Sequence, residues 1–592
     1  MSSIRGKILA KLLPVWYDII IEKQAERSAE MRGSMLPLGI DSFEELRIVG
    51  YYYIDKTGFI EELLADRFKV NLITRPRRFG KTLTMSMLAD FFDIRKCSRS
   101  IFEGLKIAEN EVLCDRWMNQ YPVLFLTLKD VEGLKFADAY GQLIETIADL
   151  YIEHDYLRDS DKISEADKAF FVKMQNGEMP KSAVLNSLFR LTRIMQVHYG
   201  KPVIVLIDEY DVPLAKAYEH GHYKQMLSCI GNLLSKALKT NRYLQFAVVI
   251  GCLRIAKESI FTGTNHFVAS SILTADYADV FGFTADEVQQ LLEQFGLADR
   301  AGEMKRWYDG YRIGKQEIYC PWDVLNYVKD LRRDPKAQPR SYWKDTSHND
   351  IIRSFIGQEN FDITAKLEGL LEGGCVKVRL CDDLTYDLVH SSEENFWNIL
   401  YLTGYLTMVS ARELSAYDVV EECETVLRIP NEEVRMIFAD TVVQWFKDSM
   451  RQTNRQPLMS ALWDGEEEKA ASILTDLLFQ TISYHNYKED YYHAFLAGIF
   501  VGLGLATESD KEHGSGRPDV VVKDNRNRRV IIMEAKISDS QGQMERDCME
   551  AVDQIETKQY IRDFLEGYKT IICYGIAFHK KQCLVKRIEL SE

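Results

Sequence analysis

Apolar and polar positions along the chain set out two regions of mixed strand and helix character. Lys69-Val-Asn-Leu-Ile-Thr74 is an apolar run of strand length, and Met85, Met87, Leu88, Phe91 and Phe92 after it mark an apolar helix. Tyr121–Leu128 and Gln245–Ile250 read as further buried strands, while residues 136 to 200 space Leu, Ile, Phe and Ala as helices do. Pro202-Val-Ile-Val-Leu-Ile207 is mostly β-branched without alternation, the pattern of a strand covered on both faces in a parallel sheet. Strands alternating with helices predict a doubly wound α/β domain that binds ligands at the carboxyl ends of its strands.

The pattern recurs near the C-terminus. Lys488 to Phe500 begins a helix, a Gly-rich bend leads to Ala506–Glu508, and Val520–Val522 and Val530–Lys536 flank the turn Asp524-Asn525-Arg526-Asn527 as a hairpin. A helix carrying Met544, Cys548, Val552 and Ile555 follows, and Thr570–Phe578 closes the set as a strand. Residues 1 to 34 read as a helical extension without chemistry, and Met31 or Met35 could serve as a start.

Candidate chemistry falls where these elements join. Between the first strand and its helix lies Arg75-Pro-Arg-Arg-Phe-Gly-Lys-Thr82. A helix start offers unpaired N–H groups and a positive dipole end to an anion. In a phosphate-binding loop Gly80 would close the turn, Lys81 would reach the β and γ phosphates of ATP, and Thr82 would ligate Mg²⁺. The glycine expected five residues before Gly80 is Arg75, and Arg77 and Arg78 add charge-assisted donors for phosphate. The bland alternative is a basic surface turn. Asp208 and Glu209, ending the Val203–Ile207 run, favour the nucleotide reading: Asp208 would hold the Mg²⁺ and Glu209 would polarise the attacking water. Arg254, just past a third strand, is a candidate γ-phosphate sensor or a surface ion-pair partner. Tyr51-Tyr-Tyr-Ile-Asp-Lys-Thr57 reads equally as a lip of the pocket or as a strand and helix cap beside the sheet.

In the C-terminal pattern, residues i and i+2 of a strand share a face, so Glu534 and Lys536 point together while Ala535 turns away. Asp519 heads the neighbouring strand and can meet Glu534 across the ladder. Two carboxylates plus the Ala535 carbonyl make a hard-oxygen site for Mg²⁺ or Mn²⁺, beside which Lys536 could orient or deprotonate a water. A Glu-x-Lys alone reads as a strand-edge ion pair; the whole set, with Glu489 on the preceding helix and Gln554 and Lys558 on the following one, fits phosphodiester hydrolysis.

Bulk properties restrict the classes. At 592 residues, 46% apolar and 28% charged, the chain has the composition of a soluble multidomain protein, and no apolar run reaches membrane-span length. Eleven cysteines without a Cys-x-x-Cys pair point to reduced thiols in a cytoplasm. A net charge of −15 argues against a globally basic nucleic-acid coat, though a local basic groove needs only a patch. Trp307, Tyr308, Tyr311 and Trp322 could stack bases, but core packing is the favoured reading.

The order of these features resembles the AAA-ATPase-like family that accompanies PD-(D/E)XK nuclease domains in bacterial proteins. Carrying the resemblance are Gly39-Ile-Asp-Ser-Phe43, Tyr53-Ile-Asp-Lys-Thr57, Arg75–Thr82, Leu206-Ile-Asp-Glu-Tyr-Asp211, Leu253–Phe261, Phe281–Val288, Trp307–Tyr311 and Pro321–Asn326. The C-terminal set is similar to the PD-(D/E)XK core, with Asp519, Glu534 and Lys536 at the motif positions and Pro518 supplying the Pro-Asp. By this resemblance Arg75 in place of the first loop glycine is a family trait, residues 36–284 form the P-loop ATPase domain, 285–445 a helical lid or connector, and 446–592 a restriction-endonuclease-like α/β domain.

The expectation is a cytoplasmic ATPase coupled in one chain to a metal-dependent nuclease acting on nucleic acid, DNA before RNA, with nucleotide state gating cleavage. A role in defence against foreign DNA follows from the resemblance alone. A nucleotide-switched module that binds nucleic acid or protein without cutting is the rival reading, and a homo-oligomer is left open.

Overall fold

The computed structural model describes residues 35–254, 267–343, 363–381, 384, 386–410, 413, 424–441, 456–479, 492, 495–496, 499–500, 506–509 and 516–588. The expected N-terminal extension and Glu489 lie outside the described residues. The chain divides into two compact units, Met1–Thr346 with Lys377–Glu433, and Ser347–Val376 with Val434–Glu592.

The first unit is built on five parallel strands, β1 (Val70–Thr74), β2 (Val123–Thr127), β3 (Val203–Asp208), β4 (Leu244–Gly251) and β5 (Phe267–Ser270), in the order β2-β3-β4-β1-β5. Every residue of β1 and β3 is buried, which is why neither shows the two-residue alternation of a sheet with one wet face. Leu143 and Ile147 of the Phe136–Glu153 helix, Leu188 and Leu191 of Ser187–Tyr199, and Leu233 and Leu234 of Tyr223–Leu238 share a core with Val203, Val205 and Ile207. The Lys81–Phe92 helix leaves β1 through the basic loop.

Residues beyond 284 depart from a purely helical connector. Ala285–Gln294, opened by a Thr284/Glu287 capping box, packs with Ala301–Tyr308 and Pro321–Arg333 around Val288, Leu291, Tyr308 and Tyr327. Between the last two helices lies a hairpin, β6 (Tyr311–Ile313) and β7 (Gln316–Ile318). A three-stranded sheet follows from β8 (Val376–Arg379), β9 (Thr407–Met408) and β10 (Glu424–Arg428), in the order β8-β10-β9. These strands are two to five residues long, too short for a two-residue period to stand out in sequence.

The second unit holds a mixed sheet of β11 (Ala506–Ser509), β12 (Val520–Asp524), β13 (Arg529–Ile537), β14 (Thr570–His579) and β15 (Gln582–Arg587), in that order. Only β13 and β14 pair in parallel among these, and the Met544–Thr557 helix makes the crossover between them. Ile531, Met533 and Ala535 face a core with Leu458, Leu462 and Leu474, while Val530 and Ile532 face Val552, Ile555 and Tyr560. Alternation therefore puts Glu534 and Lys536 on the face covered by the crossover helix.

Candidate functional site

The first candidate site opens at the carboxyl ends of β1, β4 and β3. A cavity of about 550 Å³ is lined on one side by Arg77, Arg78, Gly80, Lys81, Thr82, Glu209 and Asp211, and on the other by Leu38, Ile40, Tyr52, Tyr53, Phe283 and Trp322. Gly80 caps the Lys81–Phe92 helix at φ 78°, a left-handed conformation suited to glycine, and no side chain caps the helix. The first N–H groups of that helix are thus left for an anion. Lys81 Nζ donates to the carbonyls of Arg75 (3.1 Å) and Pro76 (2.8 Å).

Asp208 closes the far side of the loop although 126 residues of sequence separate Thr82 from it, and its Oδ1 accepts the Glu209 N–H at 2.9 Å. Burial raises the Asp208 pKa, and the neighbouring Thr82 hydroxyl and Lys81 charge oppose that rise. Burial and the Asp208 charge both raise that of Glu209, which suits a proton acceptor. Glu209 holds φ 52°, which costs a non-glycine residue on the order of 1 kcal/mol and marks a turn held by its surroundings. Asp211, two residues on, is 2% exposed, and its Oδ2 accepts the N–H groups of Cys252 and Leu253 at 3.0 Å each. Tyr210 adds a bond from its hydroxyl to the Leu253 carbonyl at 2.5 Å. A Cβ on Gly251 would lie 2.4 Å from Asp211 Oδ1, so β4 must end in glycine for the acid turn to close over it.

Arg75 requires a correction. Its side chain is fully buried, and it donates to the carbonyls of Thr74, Ser270 and Asp276 and to Ser270 Oγ, with Phe281 beneath it. It ties β1 to β5 and the turn beyond, does not line the cavity, and is a structural residue. Arg254 likewise is not among the cavity's lining residues. Residues 51–56 form no strand: Tyr52, Tyr53, Ile54 and Lys56 line the cavity, while Asp55 accepts the Thr57 N–H at 2.8 Å at the start of the next helix. Tyr308 and Tyr311 are core residues, but Trp322 faces the cavity with the Arg78 guanidinium 4.9 Å above its ring.

The second candidate site lies in the other unit. Val520 pairs with Met533, so the ladder brings Asp519 next to Glu534, and Asp519 Oδ2 accepts the Ala535 N–H at 2.7 Å. Both carboxylates are buried, at 6% and 3% exposure. Gln554 joins acid to base: its carbonyl accepts Lys536 Nζ at 2.6 Å and its amide donates to Glu534 Oε1. Tyr560, which sequence reasoning missed, lies 3.5 Å from the Gln554 amide and donates to the Arg517 carbonyl at 3.2 Å, holding the turn that delivers Asp519. Lys558 ends the same helix, its stem against Gly516. Among the described residues no three His, Cys, Asp or Glu side chains converge as a metal cluster. The donor set is instead two buried carboxylates with a backbone carbonyl beside them, hard oxygens that fit a small divalent cation.

Residues 37–261 match the family model described as a predicted AAA-ATPase, AAA-ATPase-like, and residues 487–588 match that of the PD-(D/E)XK nuclease superfamily. The chain joins an AAA-ATPase-like domain to a PD-(D/E)XK-type domain. The AAA-ATPase-like match takes in the loop, both strand-end acids and Asp211, and the PD-(D/E)XK match takes in Asp519, Glu534, Lys536, Gln554 and Tyr560. An uncharacterised protein from the vnfD 5′ region of Azotobacter chroococcum mcd 1 is 25% identical over 567 residues, covering 93% of this chain and 97% of the relative. Among the described residues no helix is long and apolar enough to cross a membrane.

Proposed function

We propose that this chain binds and hydrolyses ATP in its first unit and cleaves phosphodiester bonds of nucleic acid, DNA above all, in its second, with nucleotide state gating the cut. The nuclease reading rests chiefly on Asp519, held by the Ala535 N–H, standing beside Glu534 and Lys536, which Gln554 links. Residues 36–284 are assigned as the ATPase domain and 446–592 as the nuclease domain, in a cytoplasmic protein.

In the first site Lys81 and the N–H groups at the helix start would hold the phosphates, with Arg77 and Arg78 beside them. Thr82 and Asp208 would hold Mg²⁺, and Glu209 would accept the proton of the attacking water. In the second, Asp519, Glu534 and the Ala535 carbonyl would hold Mg²⁺ or Mn²⁺. A bound cation there would offset charge on the scissile phosphate and acidify a water. Lys536 would orient that water, and Gln554 would keep Lys536 and Glu534 at a fixed separation. Defence against foreign DNA is a role this pairing would suit.

The test is degradation of plasmid, single-stranded DNA and RNA with Mg²⁺ or Mn²⁺, with and without ATP or a non-hydrolysable analogue. Lys81→Ala should abolish nucleotide binding, and Glu209→Gln should bind without turnover. Equal ATP turnover in these variants and the wild type would remove the ATPase assignment. No cleavage under any nucleotide condition would favour a nucleotide-switched binding module.

A further inference from the structure

Arg78 occupies an unfavourable place. It lines the cavity, yet its backbone sits at φ 71°, a conformation that a non-glycine residue keeps only where its surroundings impose it. Three contacts do so. Its Nη1 donates to the Tyr342 carbonyl at 3.0 Å, its guanidinium lies over Trp322, and Trp322 Nε1 donates to that same carbonyl at 3.3 Å. The position of Arg78 therefore depends on where the backbone of Tyr342 is held.

That backbone is held by a residue far along the chain. Glu433 Oε1 accepts the N–H groups of Tyr342 at 2.5 Å and Trp343 at 2.8 Å. Glu433 is fully buried, as is Asp323 on the Pro321–Arg333 helix. Burial and the Asp323 charge raise the Glu433 pKa, so the two form a buried acid pair. Arg78, Cys320, Tyr308 and Tyr311 are the ionisable groups that face it, and Arg78 is the cation among them. The Cys320 thiol donates to the Arg78 carbonyl at 3.8 Å, a further contact on the same loop.

We infer that Glu433 is a positioning residue for nucleotide binding: it fixes the Tyr342–Trp343 backbone, which fixes Arg78 at the phosphate side of the cavity. Glu433 lies outside both matched segments and is the last residue of the first unit before the chain passes into the second. The inference rests on the cavity being the nucleotide site.

The test uses the full chain and a fluorescent ATP analogue with Mg²⁺. Glu433→Ala should weaken binding roughly tenfold. Glu433→Gln should stay within about twofold of wild type, since its amide oxygen still accepts both N–H groups. Arg78→Ala should weaken binding by a similar factor, and the double variant Arg78→Ala/Glu433→Ala should be no weaker than Arg78→Ala alone, because both act through one guanidinium. Additive losses in that cycle, or equal losses for Glu433→Gln and Glu433→Ala, would overturn the inference. Should Glu433→Ala fail to fold, a Glu433→Gln variant with lost affinity would overturn it and one with retained affinity, beside a weakened Arg78→Ala, would support it. A wild type that binds no analogue would remove the nucleotide site itself, and this inference with it; normal binding by Glu433→Ala would remove the inference alone.

Discussion

Replacing Asp211 by alanine leaves two buried N–H groups without an acceptor. Oδ2 takes the hydrogens of Cys252 and Leu253 at 3.0 Å each, and hydrogen bonds to a charged acceptor contribute about 1.5–3 kcal/mol each. Their loss is partly offset, because burial raises the Asp211 pKa and removing a buried charge relieves that desolvation. A net cost of about 2–4 kcal/mol is expected, concentrated at the end of β4, beside the turn that aims Glu209. A misplacement of that kind costs catalysis more than binding, on the order of 100-fold in kcat. The prediction is that Asp211→Ala lowers kcat for ATP hydrolysis about 100-fold with KM changed less than about threefold. Asp211→Asn keeps the accepting oxygen and should stay within about fivefold of wild-type kcat. Steady-state phosphate release beside thermal unfolding would measure both. An alanine variant with normal kcat, or an asparagine variant as impaired as alanine, would refute the positioning role.

Three further outcomes follow from the same geometry. Gly251→Ala sets a Cβ 2.4 Å from Asp211 Oδ1 and 2.7 Å from the Tyr210 ring, so thermal unfolding should show a loss of about 1–3 kcal/mol. For the acid pair, burial and the Asp323 charge raise the Glu433 pKa. The folded state then keeps a proton that the unfolded chain releases, so wild-type stability should fall relative to Glu433→Gln as pH rises from about 5 towards neutrality. Parallel melting curves across that range would contradict the raised pKa. Gln554→Ala, which frees Lys536 and Glu534 from their bridge, should lower metal-dependent cleavage or metal affinity roughly 10- to 100-fold; unchanged rates across a Mg²⁺ titration would count against it.

Legibility in the sequence followed the range over which each feature is encoded. β1, β3 and the loop between β1 and its helix could be read because buried parallel strands are continuous apolar runs and a helix start after Gly-Lys-Thr is local. The β12–β13 hairpin could be read because its turn residues and Glu-x-Lys spacing are local too. Arg75 misled, since a guanidinium in a basic loop looks like a phosphate donor and only the folded structure shows its Nη groups donating to the Ser270 carbonyl of β5 and the turn after it. Asp211, Tyr560 and Glu433 went unassigned because each acts on backbone groups remote in sequence, for which no spacing rule exists. Asp211 carried the weakest of signals, a third acid beside an acidic pair; Glu433 carried none.

The central claim is that one chain couples a nucleotide pocket to a divalent-cation nuclease site. The most direct measurement is the cleavage rate of plasmid DNA by wild type, Lys536→Ala and Lys81→Ala in Mg²⁺ or Mn²⁺, each with and without ATP. The account predicts cation-dependent cleavage by wild type that changes with ATP, none by Lys536→Ala, and cleavage by Lys81→Ala that ATP no longer alters. Cleavage by Lys536→Ala at the wild-type rate, or a wild-type rate indifferent to both cation and nucleotide, would contradict it.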